Sequence, residues 1–494
     1  MKHQTRSIVI VVFCFVLLLA QLARVTTTAF AADDFSELDS LISSAMKRHH
    51  IPGIALAITK GDQVVYSQGY GTAGNRQALT ADTPFYIGSQ SKSFTALAIM
   101  QLVEQGKLNL DAPLQKYIPW FRVADEQASG KITIRHLLQH TSGLSESGYV
   151  ANFSPNTPLE TLVRDLSRAK LSAPVGEKMQ YFNPGYSTLG LLIETVSGKS
   201  YGGYLRENIF VPLKMEHSFT DPVEAKAAGL AQGYAQVFML PVPADQVSYQ
   251  YDLPAGFIIS TANDMARYLM ALNNGGTLDG AQILQPENVK LLFTPNAAID
   301  SIYGFGWYIS KYHGETKITH GGDTERFHTS VLLLPDQGFS LVMLFNQNHL
   351  FKDINEYNTI FWSAAALLTG HPTPEQSPSS IIFGWGLFAA WLVILVLMVR
   401  KVFLLPRWRQ KMLAWNSRSR WMDILKHLFW IAFDILFVTV VGPALLQRGF
   451  SLKWFIASLP EVAIIITTLI LDDALQVILK SGFMLKHRLP ARSD

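Results

Sequence analysis

The stretch Phe85-Tyr86-Ile87-Gly88-Ser89-Gln90-Ser91-Lys92-Ser93-Phe94-Thr95 holds a serine and a lysine in Ser-x-x-Lys spacing at the head of an apolar run. Residues three apart share one face of a helix, so the Ser89 hydroxyl and the Lys92 amine can meet one turn apart. A helix start also offers free backbone N–H groups that favour a developing negative charge. These are the physical minima for an activated serine nucleophile. Serine is equally a common helix cap and lysine a common surface residue, so the pair needs partners: a base, an oxyanion hole and a grip on the substrate.

Two later stretches offer them. In Tyr181-Phe182-Asn183-Pro184-Gly185, an extended segment would put Tyr181 and Asn183 on one side. The phenol could relay a proton if nearby cations keep its pKa down, and the Asn183 amide could hold a substrate carbonyl. Asn183 followed by Pro184 also reads as a helix N-cap with proline at N1, and the two roles are compatible. In His320-Gly321-Gly322-Asp323, on a probable edge strand, glycines let the backbone approach a ligand. The amides of Asp323 and Ser89 could be the two oxyanion donors, with His320 adding a donor or a positive charge. The plainer reading is a turn with an incidental histidine.

Ser-x-x-Lys, Tyr-x-Asn and a basic residue-x-Gly, in that order, resemble the serine β-lactamase and penicillin-binding protein superfamily. The likeness is nearest its class C β-lactamase-like branch of D,D-carboxypeptidases, D-aminopeptidases and esterases. It extends to Ile51-Pro52-Gly53, Gly106-Lys107-Leu108-Asn109-Leu110-Asp111, His136-Leu137-Leu138-Gln139-His140-Thr141-Ser142-Gly143-Leu144 and Tyr303-Gly304-Phe305-Gly306-Trp307, and covers roughly residues 35–370. The resemblance implies an α+β fold, an antiparallel sheet flanked by helices with a helical subdomain, and a site between them. It also implies that Ser89 attacks a carbonyl to form an acyl-enzyme while Lys92 and Tyr181 share the general-base work. Asn183, His320, Gly322 and Asp323 would bind substrate, and no metal or organic cofactor is implied. A neutral Lys92 near pH 7 would cost roughly 4 kcal/mol, supplied by burial and neighbouring charge. If Tyr181 is the base instead, Lys92 stays charged; the sequence leaves both open.

His320 departs from the β-lactamases of this branch, which usually place lysine there against the substrate carboxylate. Histidine is mostly neutral at pH 7 and grips a carboxylate less well. Peptide, amide or ester substrates, cell-wall peptides among them, are therefore expected ahead of β-lactams. The alternatives are a penicillin-binding sensor with little turnover, or a β-lactamase.

Several elements must hold these groups. Apolar periodicity predicts helices over 35–49, from Ser89 to near Gly106, over 132–143, from Asn183-Pro184 to near Gly198, over 262–273 and over 354–368. Ile54–Ile58 and Val64–Ser67 flank Lys60-Gly61-Asp62 as a hairpin. Later strands are expected over 304–309, 317–319, 330–334 and 339–345, the last two joined at Asp336-Gln337-Gly338. Helices between early and late strands suggest an antiparallel sheet with a helical insertion.

The ends of the 494-residue chain read differently. Residues 1–31 carry a basic start, an apolar run and Ala29-Phe30-Ala31, a signal peptide pattern. A hydrolase domain is expected over 32–371 and a Pro/Ser-rich linker over 372–380. A membrane domain over 381–494 follows, with three transmembrane helices near 381–399, 429–446 and 454–471. Arginines and lysines crowd the first loop and the tail, so the positive-inside rule puts both in the cytoplasm and the Ser89 domain outside, in a multi-pass cell-membrane protein. Asp434, Glu461, Asp472 and Asp473 fall near span ends, where the interface can solvate them. The net charge of +3 argues against nucleic acid, and the single cysteine, Cys14, excludes an intrachain disulfide. A small-molecule or peptide substrate and a lipid bilayer are the expected partners; oligomeric state is open.

Overall fold

The computed structural model describes residues 35–349, 352, 356–374, 379–415, 417–441 and 459–486. The signal peptide pattern lies outside them, as do parts of the linker and of the second and third expected spans. One seven-stranded antiparallel sheet organises the larger part. Its strands are β1 (Gly53–Lys60), β2 (Gln63–Gly74), β3 (Gln77–Ala78), β4 (Tyr308–Tyr312), β5 (Glu315–Asp323), β6 (His328–Leu334) and β7 (Phe339–Phe345). Their order is β4-β5-β6-β7-β1-β2-β3, so the two ends of the domain sequence meet where β1 pairs with β7, Ile54 opposite Phe345.

Strand alternation divides the core in two. Ile54, Leu56, Ile58, Leu341, Met343 and Phe345 pack on helices α1 (Ser36–His49) and the C-terminal Asn358–Thr369 helix. Ala55, Ala57, Val342 and Leu344 face the opposite layer. That layer contains α2 (Ser91–Glu104), α3 (Asn183–Ser197) and α4 (Ala262–Asn273). The period of two along each strand is thus what buries a helix layer on both faces. Small side chains on β1 let α4 lie close to the sheet.

Most expected elements are present, and the differences have local causes. The helix expected over 132–143 is only Ile134–Leu138, capped by a Thr133–His136 capping box. It ends because His140 is left-handed (φ 55°) and Gly143 follows in the same region (φ 79°). The strand expected over 304–309 is instead a turn, with Gly306 at φ 77°, and pairing begins at Tyr308. The strand expected over 317–319 is longer, because Gly321 and Gly322 continue the ladder with β6 opposite Ser330 and Thr329.

Beyond the linker lie α5 (Ser379–Phe403), α6 (Ser417–Leu436) and α7 (Pro460–Lys486). Among the described residues two helices, over Ile382–Phe403 and Pro460–Lys486, are long and apolar enough to cross a membrane, against the three expected. The middle helix falls short because Arg418, Arg420, Asp423, Lys426, His427 and Asp434 lie along it. Residues 442–446 of the expected second span lie outside the described residues, and the third helix runs to Lys486 rather than to about 471. The acids are also not simply solvated as expected. Asp472 pairs with Lys401, Asp473 with His427 at 2.5 Å, and Asp423 with Lys480 at 2.6 Å.

The helices meet the sheet domain at a hairpin, Tyr234–Val237 and Leu240–Pro243. Its tip residue Phe238 stacks on Trp391 at 5.2 Å, and its amide donates to Glu461 at 3.0 Å. The other Glu461 oxygen lies 3.2 Å from His349 Nε2, and only 2% of Glu461 is exposed.

Candidate active site

Ser89 lies in a single 3-10 turn, Gly88–Gln90, that runs directly into α2. The turn exists because Gly88 takes φ 55°, a region side chains disfavour. It also presses on β5. A Cβ on Gly88 would collide with the Asp323 amide nitrogen, and one on Gly322 with the Ile87 carbonyl oxygen. The two glycines are what bring the Ser89 turn and the Gly322-Asp323 backbone into contact.

Lys92 stands one turn further on and is fully buried (0% exposed). Its Nζ lies 3.1 Å from Ser89 Oγ, 2.7 Å from Asn183 Oδ1 and 2.6 Å from the Ala255 carbonyl oxygen. Burial pushes the amine below the ordinary lysine range, while the charges of Asp252 and Glu146 pull it back up. Gly306, left-handed, packs its backbone against that of Lys92 and Ser93 and so fixes the start of α2.

Tyr181 lies beside Ser89 and Lys92. Burial raises its phenol well above the ordinary value, with the Ser89 hydroxyl opposing. The nearby cation therefore does not depress it as the sequence reading required, and near neutrality the phenol keeps its proton. Lys92 Nζ sits 4.7 Å from its ring centre. The His140 ring lies against it at a tilt, 4.4 Å between ring centres, and accepts the Phe182 amide at Nδ1. His140 is itself held uncharged, chiefly by burial and then by Lys92 and His320.

Asn183 does not cap α3. Phe182 occupies the N-cap position with extended backbone, and Asn183 is the first helical residue. Its side chain is thereby freed to reach Lys92. On the far side, its amide N and Nδ2 approach Glu146 Oε1 at 3.3 and 3.4 Å. Burial lifts the Glu146 carboxyl to about 7. Asp252, which accepts from Ser187 Oγ at 3.0 Å, is raised by burial too, against the pull of Lys92.

His320 is 3% exposed and carries no positive charge at neutral pH: burial, then the Lys92 charge, push it down to about 3. Its Nδ1 lies 2.6 Å from the Gly321 carbonyl, which can only accept, so that nitrogen holds the proton. Nε2, 3.1 Å from Tyr303 Oη, is left as an acceptor. The expected donor or cation is thus turned inward. The Asp323 side chain also points away from the serine, to His328 Nδ1 at 2.8 Å and Asn348 Nδ2 at 3.0 Å, leaving its backbone at the Ser89 turn.

The beta-lactamase family pattern matches residues 38–361 of this chain. The chain belongs to the beta-lactamase family. Protein flp of Staphylococcus aureus (strain MW2) is 28% identical over 334 residues, 66% of this chain and 66% of that protein. Penicillin-binding protein 4 of Amycolatopsis lactamdurans is 29% identical over 310 residues, 60% of this chain and 81% of that protein. The solved octameric penicillin-binding protein homologue from Pyrococcus abyssi superposes with a TM-score of 0.60 at 29% identity, covering 70% of this chain and 79% of its own. The chain thus spans about two thirds of the length of Protein flp.

Within this beta-lactamase-family domain, Ser89, Lys92, Tyr181 and Asn183 form one contact network, with the Gly322-Asp323 backbone against it. His320 is beside Tyr181, 6.5 Å between ring centres, and outside that network. Sequence reasoning did not single out Glu146, Asp252, the Ala255 carbonyl or Tyr303. A backbone carbonyl leaves no trace in residue type. Glu146 sits in the polar run Ser145-Glu146-Ser147, which reads as surface.

Proposed function

We propose that this chain is a membrane-anchored, extracytoplasmic serine hydrolase that works through an acyl-enzyme on Ser89, with D-amino-acid peptides or small amides and esters as substrates. The observation that carries the reading is the set of partners around Lys92 Nζ. A neutral amine has two hydrogens and one lone pair. The two short contacts, to Asn183 and Ala255, take the hydrogens, and the longer one leaves the lone pair for the Ser89 hydroxyl. Lys92 is then the base, and Tyr181, protonated, is the acid.

In the first half-reaction the Ser89 proton moves to Lys92 as Oγ bonds the substrate carbonyl carbon. The Ser89 and Asp323 amides receive the oxyanion. The carbonyl–leaving-group bond breaks as Tyr181 protonates the departing nitrogen or oxygen, and the proton held by Lys92 passes to the phenolate beside it, so that both groups return to their starting forms. Water then repeats the sequence on the ester. With His320 neutral and turned inward, a substrate carboxylate has no cation at that strand position, which counts against efficient β-lactam hydrolysis. The apolar helices and the clustered basic residues of the intervening loop support the anchoring and its orientation.

Incubating the purified chain with a D-alanyl-D-alanine peptide, a cephalosporin and a short-chain ester tests this. Turnover of peptide or ester above the cephalosporin, abolished in Ser89→Ala, is the expected outcome. Undiminished turnover by Ser89→Ala would refute it. The joint between Glu461 and the Phe238–His349 surface favours one other reading, a ligand sensor that is acylated with little turnover. An acyl-enzyme lasting hours would select the sensor.

A further inference from the structure

The cleft around Ser89 has an unusual charge arrangement. On the β5 wall, His320 is uncharged and both ring nitrogens are spent on Gly321 and Tyr303. On the Asn183 wall stands a carboxylate. Glu146 Oε1 takes two long contacts from Asn183, and Oε2 has no hydrogen-bond partner among the described residues. That oxygen is also absent from the buried unpartnered atoms, and Glu146 is only partly covered, as are Ser89, Tyr181 and Asn183. That oxygen is therefore not sealed from solvent, and a single residue separates Glu146 from Lys92. Asn183 connects the two: its Oδ1 reaches Lys92, and its Nδ2 faces Glu146.

We infer that Glu146 is a specificity-determining residue that receives an ammonium group on the acyl part of the substrate. The favoured substrates are aminoacyl amides or esters with a free amine, ahead of their N-acylated forms. The inference rests on the hydrolase reading of Ser89 and deepens it. An ammonium bridges Glu146 Oε2 with a charge-assisted hydrogen bond in a partly desolvated place. N-acetylation removes the charge and adds an acetyl group against the same carboxylate. A substrate carboxylate meets Glu146 without a compensating cation from His320. The raised Glu146 carboxyl fits this use, because a bound ammonium favours its ionised form. The leaving group departs toward Tyr181, its proton donor in the proposed reaction, which lies against His140.

The test compares alanine methyl ester with N-acetylalanine methyl ester, in both hands, on the full chain in detergent. A charge-assisted bond corresponds to a preference of roughly 10–100-fold in kcat/KM for the free amine. In Glu146→Gln the ratio of the two kcat/KM values falls to near one. Because it is a ratio, it does not depend on how much of the variant is folded. Partial recovery in Glu146→Asp supports the charge over the shape. A wild-type ratio near one, or a ratio unchanged in Glu146→Gln while both esters are hydrolysed, overturns the inference and leaves the hydrolase standing. Failure to hydrolyse any of the esters, with Ser89 unreactive to a fluorophosphonate, overturns the hydrolase reading and this inference with it.

Discussion

Lys92 and Tyr181 are sorted by burial. Both are enclosed, and enclosure disfavours the charged form of each: it lowers the lysine and raises the tyrosine. One thus tends to a neutral amine and the other to a neutral phenol, the forms that the base and the acid of the proposed reaction require. Tyr181→Phe is expected to lower kcat about 10²–10⁴-fold with little change in fold, read by steady-state kinetics and circular dichroism. Glu146 gives a stability prediction. Its carboxyl rises from an ordinary 4.5 to about 7, so the folded state holds this proton more tightly than the unfolded chain. Stability is therefore lost as pH rises between those values and stays lost above them. Glu146→Gln, a mimic of the protonated form, should melt above the wild type at pH 8 and level with it at pH 4.5 in thermal scans. Ser89, Lys92, Tyr181 and Asn183 were legible because motif spacing encodes them. Burial was not legible, so the sequence left the base undecided, assumed a cation-lowered tyrosine and gave His320 an outward role.

The two glycines that join the Ser89 turn to β5 matter more than the length of either element. Gly322 has the Ile87 carbonyl where a Cβ would go, while a Cβ on Gly321 would meet only the Thr329 oxygen at 3.6 Å. Gly322→Ala is expected to cost about 1–3 kcal/mol in a denaturant melt and to abolish Ser89 acylation, with Gly321→Ala tolerated in both assays. Long periodic elements such as α2, α3 and α4 were readable because their apolar faces repeat. The 132–143 stretch was read as longer than it is, since the left-handed backbone of His140 is carried by a residue type that does not announce it. The 304–309 stretch was expected as a strand. Gly306 instead turns the chain onto the α2 backbone.

At the scale of the whole molecule, a buried acid ties the C-terminal apolar helices to the beta-lactamase-family domain. Removing the Glu461 carboxylate takes the acceptor from the Phe238 amide in a buried joint that also holds Lys352, whose amine burial lowers to about 8. Unmet buried groups of this kind cost roughly 1–3 kcal/mol each. Glu461→Ala should therefore speed release of the sheet domain by proteinase K, followed on gels, while the released domain keeps whatever Ser89 labelling by fluorophosphonate the full chain shows. An unchanged cleavage rate would mean that the joint contributes little. The composition shift past residue 380 was plain in the sequence, but this joint was not, because it brings Glu461 to residues 112 and 223 positions away.

The central claim is that Ser89 is the nucleophile and a neutral Lys92 its base. Fluorophosphonate acylation, mapped by peptide mass spectrometry and timed across pH, tests it most directly. The account predicts a single adduct on the Ser89 peptide, absent in Ser89→Ala and strongly slowed in Lys92→Ala. The rate should rise with pH and level off well below the ordinary lysine value of 10.5, because burial lowers the amine. An adduct elsewhere, or equal rates in the wild type and Lys92→Ala at every pH, would contradict it.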